Sequence, residues 1–96
     1  MHTIDAARLG IFNMKQSGSV RDYVTEFRNY LYVVQDMSGT DQLVHFLRGL
    51  SDKVQLAVRT MKPKTVYEAL LYASQYEANV KQVQMGKQMH AVPLSQ

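Results

Sequence analysis

Between Val20 and Val34 the apolar residues Val20, Val24, Phe27, Leu31 and Val34 recur at helical spacing, with Tyr23 and Tyr30 on one flank. Arg21, Asp22, Thr25, Arg28 and Asn29 fall on the opposite side, so the pattern predicts an amphipathic helix from Val20 to about Gln35. Ser17, Gly18 and Ser19 break any helix arriving from upstream. Ser19, followed three residues later by Asp22, is a Ser-x-x-acid start whose hydroxyl accepts from an orphan backbone N–H. The same local signal recurs along the chain. Ser38 with Asp41 opens a short third helix with Leu43, Phe46, Leu47 and Leu50 inward, and Gly49 suits a left-handed cap at its end. Ser51 is placed to cap a fourth helix, Asp52 to about Met61, with Val54, Ala57, Val58 and Met61 inward; Pro63 stops it. Thr65 and Glu68 form a Thr-x-x-Glu capping box for a long fifth helix carrying Val66, Ala69, Leu70, Ala73, Tyr76 and Val80 in line.

Upstream, Thr3 to Lys15 reads as a first helix with Ile4, Ala7, Ile11 and Met14 on one side. Leu9 and Phe12 lie off that stripe, as expected of a helix that also packs on a preceding domain. Gly10 costs it about 1 kcal/mol relative to Ala. The fifth helix is expected to fray before Gly86, giving a helical domain over residues 1–85 and a poorly ordered tail over 86–96. Helix starts joined by loops of a few residues imply an all-α fold, a compact five-helix bundle.

Composition narrows the chemistry. Across 96 residues, 46% are apolar and 20% charged, a globular balance in a chain large enough for one small core. The absence of cysteine removes disulfides, thiolate zinc sites and thiol nucleophiles together. No apolar run approaches the ~20 residues that span a bilayer, and the N-terminus lacks a signal-peptide pattern. His45 and Asp41 are one turn apart but supply only two metal ligands, and Asp22 and Glu26 sit on a solvated face. There is no phosphate loop, no dinucleotide fingerprint and no nucleophile beside a base. Tyr23, Tyr30 and Tyr76 read as flanks of the core rather than base-stacking platforms. The chain is read as a non-enzyme without cofactor, metal or small-molecule substrate. The net charge of +3 is spread out; Arg59, Lys62 and Lys64 form the tight basic group and, with Lys81 and Lys87, are the candidates for RNA contact.

Three stretches, in this order, resemble the C-terminal capsid domain of Gag polyproteins of gypsy-type LTR retrotransposons. Tyr23-Val24-x-Glu26-Phe27-x-x-x-Leu31, after Gln16 and a small-residue turn, looks like the major homology region. Phe46-Leu47-x-Gly49-Leu50 looks like the end of the short helix that follows it, and Thr65-Val66-x-Glu68-Ala69-x-x-x-Ala73 is similar to the start of the last capsid helix. Retroviral versions carry a longer loop and an Arg where Glu26 stands, so their polar network does not transfer; only Gln16 is kept, as a loop brace. The resemblance implies a structural, cytoplasmic role in virus-like particles. The chain would be an excised piece of capsid that self-associates, commonly as two-fold homodimers, with the rest of the Gag capsid as partner and RNA bound mainly by other Gag regions. It also leaves open a Gag-derived cellular dimerisation module of the SCAN type. The third helix, with Asp41, Val44, His45 and Arg48 outward, is the expected dimer interface, Asp41 meeting the partner's Arg48 around Val44. Tyr67 and Leu71 on the fifth helix are the second candidate. Tyr32 and Val33 also miss their stripe, which makes them surplus to a minimal core.

Overall fold

The computed structural model describes the backbone of residues 3–91 and the side chains of residues 6–84. Five α-helices follow one another among the described residues: α1 (Thr3–Asn13), α2 (Val20–Val33), α3 (Gly39–Gly49), α4 (Asp52–Thr60) and α5 (Val66–Ala91). They pack as an all-α bundle. Its core holds Ala7, Ile11 and Met14 from the first helix and its exit, Val20, Tyr23, Val24 and Phe27 from α2, and Phe46, Leu47 and Leu50 from α3 and its end. Val54 and Val58 from α4 and Val66, Ala69, Leu70 and Ala73 from α5 close it. Phe27 and Phe46 meet edge to face at 5.1 Å near its centre, a favoured aromatic geometry.

Local capping sets the helix starts. Ser19 Oγ accepts from the Asp22 N–H at 3.0 Å, Ser38 Oγ from Asp41 at 3.1 Å and Thr65 Oγ1 from Glu68 at 3.1 Å. Two caps differ from expectation. Ser51 occupies the N-cap of α4, but its side chain makes no cap hydrogen bond. Glu68 reaches past Thr65 and accepts from the Lys64 N–H at 2.8 Å, so the box closes one residue further out.

Other departures have packing causes. Gly49 was expected in a left-handed cap, yet no glycine takes a positive φ among the described residues, and Gly49 is the last helical residue of α3. It is glycine because Tyr23 lies on it: a Cβ there would run into the Tyr23 hydroxyl and come within 2.6 Å of the Met14 carbonyl oxygen. Gly10 is explained the same way, since a Cβ would meet the Tyr30 ring at 2.5–2.7 Å where α1 crosses α2. The left-handed residue is instead Lys62, with φ 54°, which turns the chain from α4 toward Pro63. There α4 ends at Thr60, and Met61, expected inward, is exposed.

Leu31 and Leu43 are half-buried rather than central. Both pack against the core from its edge, and Leu31 also lines an open groove with Tyr32, Gln42 of α3 and Tyr67 of α5. α2 itself stops at Val33, and the buried Val34 leaves in extended conformation. α5 continues through Gly86 to Ala91, past the expected fray. Glycine weakens a helix but keeps its N–H, so Gly86 need not end one; the rest of the expected tail, 92–96, lies outside the described residues, as does the Ile4 side chain. Among the described side chains of α5 the last buried one is Ala73, Tyr76 and Val80 are half-buried, and residues 81–84 are exposed. No helix is long and apolar enough to cross a membrane among the described residues.

Candidate functional site

The loop before α2 is tied down from both sides. The Gln16 N–H donates to the Gly49 carbonyl at 2.7 Å, its Oε1 accepts from the Ser51 N–H at 3.0 Å, and its Nε2 donates to the Gly18 carbonyl at 3.0 Å. One side chain thus braces its own turn and satisfies the backbone N–H of the α4 N-cap residue, a different donor from the one the Ser51 hydroxyl would have capped. Deeper in, the Tyr23 hydroxyl donates to the Phe46 carbonyl at 2.9 Å. Burial pushes its phenol far above the ordinary value, with the Glu26 carboxylate adding and Arg48 opposing, so it remains a donor at any working pH. Val24 and Phe27 are buried beside it.

The first two N–H groups of α2 are capped from the far end of the chain. Val20 donates to Glu77 Oε2 at 2.7 Å and Arg21 to Glu77 Oε1 at 3.1 Å, placing a carboxylate from α5 at the positive end of the α2 dipole. No local pattern predicts this contact.

The expected interface residues Asp41, Val44 and Arg48 are exposed along α3, and His45 is half-buried. His45 packs against Phe12 of α1, ring centroids 4.6 Å apart and nearly perpendicular. Arg48 Nη2 lies 3.2 Å from His45 Nδ1, and because a guanidinium only donates, this contact is a hydrogen bond for the neutral ring with Nδ1 accepting and is lost on protonation. The His45 pKa is lowered by burial first and by Arg48 second, with Asp41 opposing. Two contacts add to the expectation for this face: Arg48 spends one N–H on His45 of its own chain and keeps others for a partner's Asp41, and Phe12, half exposed, packs its ring on His45. Phe12 was legible as an off-stripe residue, but its place beside α3 was not.

Tyr67 and Leu71 are exposed on α5, at 67% and 53%. Tyr67 shares a groove of about 480 Å³ with Arg28, Leu31, Tyr32, Gln35 and Gln42, and Tyr32 is 83% exposed. Among the basic candidates, Arg59, Lys62 and Lys64 are exposed around the α4–α5 corner, Arg59 donating to Gln55 Oε1 at 3.1 Å. Lys81 lies roughly 22 Å along α5 from its start, beside α2, and the Lys87 side chain is outside the described set. The four described ones therefore do not form one patch. No group of three His, Asp or Glu side chains converges to hold a metal among the described residues.

Comparison with protein-family models, with curated proteins and with solved structures finds no match to this chain.

Proposed function

We propose that this chain is a structural self-assembly module of Gag capsid type, forming homodimers that link neighbouring capsomers in the virus-like particle of a gypsy-type LTR retrotransposon. The supporting observation is that two of the stretches carrying the Gag resemblance are bonded to one another. Gln16 in the loop reaches Gly49 and Ser51, and Tyr23 reaches Phe46 across a glycine that admits no Cβ. Such a brace makes α2 and α3 one rigid unit and holds the outer face of α3 at a fixed angle, as a module that repeats in a shell requires. The module has no catalytic step; its work is to present Phe12, Val44 and His45 to a second copy.

Sedimentation equilibrium over a concentration series tests the reading. The expected result is a reversible monomer–dimer equilibrium in the micromolar to millimolar range. A single species of monomer mass up to about 1 mM, where association would be worth only ~4 kcal/mol, overturns it.

A further inference from the structure

We propose that the α2–α5 face is a binding site for single-stranded RNA, separate from the α3 face and independent of whether the chain dimerises. The charges of α2 are sorted by side. Asp22 and Glu26 line a small hollow with the Gln16–Ser19 loop, whereas Arg21 and Arg28 line a groove of about 380 Å³ with Lys81 of α5. All three cations are exposed, and the ion pair found among the described residues, Arg8–Asp36, lies elsewhere. The one acid in that groove is Glu77, and both its oxygens already accept backbone N–H groups of α2. Its charge is thereby offset by the helix terminus, leaving the groove with a net positive character.

Arg28 also lines the adjoining groove, where Tyr32 and Tyr67 stand exposed. The positions fall on regular helical stripes: Arg21, Arg28 and Tyr32 on α2, and Tyr67 and Lys81 on α5, with Leu71, Ser74 and Ala78 between them. From Arg21 to Tyr32 the track is roughly 16 Å long. Cations followed by two aromatic faces suit a single strand, whose phosphates pair with Arg and Lys while its unstacked bases lie on tyrosine. A duplex offers no free base faces. A protein partner would find Tyr32 and Tyr67 but would have to cover three unpaired cations as well.

Fluorescence anisotropy of a labelled oligouridylate of about ten nucleotides, titrated with the whole 96-residue chain at several salt concentrations, tests the site. Single-strand binding that weakens with salt is expected, with a same-length duplex bound more weakly. Changing Arg21, Arg28 and Lys81 together to Gln should flatten the log–log salt slope by about 2, at ~0.7 per phosphate contact. Tyr32→Ala or Tyr67→Ala should weaken binding about fivefold or more. Changing Arg59, Lys62 and Lys64 to Gln should leave affinity within about twofold. All these side chains are exposed, so circular dichroism should confirm that every variant folds. The site is overturned by no binding at low salt, by equal losses from the two triple variants, or by equal affinity for the duplex. It is also overturned if Tyr32→Ala leaves RNA binding intact while shifting sedimentation toward monomer, which would make the groove a protein interface.

Discussion

Gly49 is where two elements come closest, and a single methyl group decides whether they can. Its hydrogen stands where a Cβ would meet the Tyr23 hydroxyl and the Met14 carbonyl, and the second of these is backbone that cannot swing aside. Gly49→Ala should therefore destabilise by about 1–3 kcal/mol or more through overpacking, although alanine is the better helix former. Chemical denaturation reads the loss, and an unchanged or raised midpoint would place Tyr23 elsewhere. His45 gives a pH signature at the same scale. Its folded pKa is depressed, so the unfolded chain takes up the proton first as pH falls below about 6.5. Unfolded protein then binds more protons than folded, and stability declines from about neutrality down through the folded pKa, levelling off below it. His45→Gln should remove that portion of the decline. Denaturation midpoints of parent and variant near pH 7.5 and 5.5 should therefore differ in their change with pH; parallel changes would mean His45 is not held neutral. Asp36, depressed chiefly by its hydrogen bond from Arg8, loses its contribution only under more acidic conditions, as pH falls below the ordinary carboxylate value and through its folded pKa.

Helices are fixed at two ranges, and only the nearer one is legible in a sequence. The Ser19, Ser38 and Thr65 caps act across three residues, so a local pattern locates them and the five elements follow. The Glu77 cap on α2 acts across 57 residues and the Gln16 brace on Ser51 across 35, and nothing in the pattern around either end announces the other. Gly49 misled for a related reason: a left-handed cap and a close backbone approach both select glycine, and only the neighbour distinguishes them. The site divides similarly. Val44, Tyr32, Tyr67 and Leu71 were readable as surplus because they miss their helix stripes, whereas Phe12 beside His45 depends on how α1 crosses α3. The two ranges predict different losses. Thr65→Ala should cost ~0.5–2 kcal/mol as a local cap. Glu77→Gln keeps one acceptor for two N–H donors and turns an NH2 toward the other, so about 1–3 kcal/mol should go. Because Glu77 joins α2 to α5, amide hydrogen exchange in its variant should rise at the first turn of α2. Exchange confined to α5 would show that the carboxylate does not cap α2.

In the whole molecule the two candidate surfaces differ in chemistry, and that difference decides how self-association should be tested. The α2–α5 face is cationic and aromatic; the α3 face offers Phe12, Val44 and His45 with Asp41 and Arg48 at its edge. A two-fold axis through α3 brings Val44 near its own copy. In the proposed dimer Arg48 spends one of its N–H groups on His45 and keeps others for the partner's Asp41 at the rim, around an apolar centre at Val44. Eleven residues of helix present far less than the ~1,200 Å² of a stable interface, so the proposed dimer should be weak in isolation and, in the proposed shell, would gain strength through repeated contacts. Val44→Asp sets like charges across the axis and beside Asp41. At a position 48% exposed it should leave the fold unchanged. Circular dichroism of the variant should match the parent, while sedimentation equilibrium should show a monomer where the parent dimerises. If the folded variant still dimerises as the parent does, the axis does not pass through α3, and Leu71→Asp on α5 becomes the variant that should separate the copies.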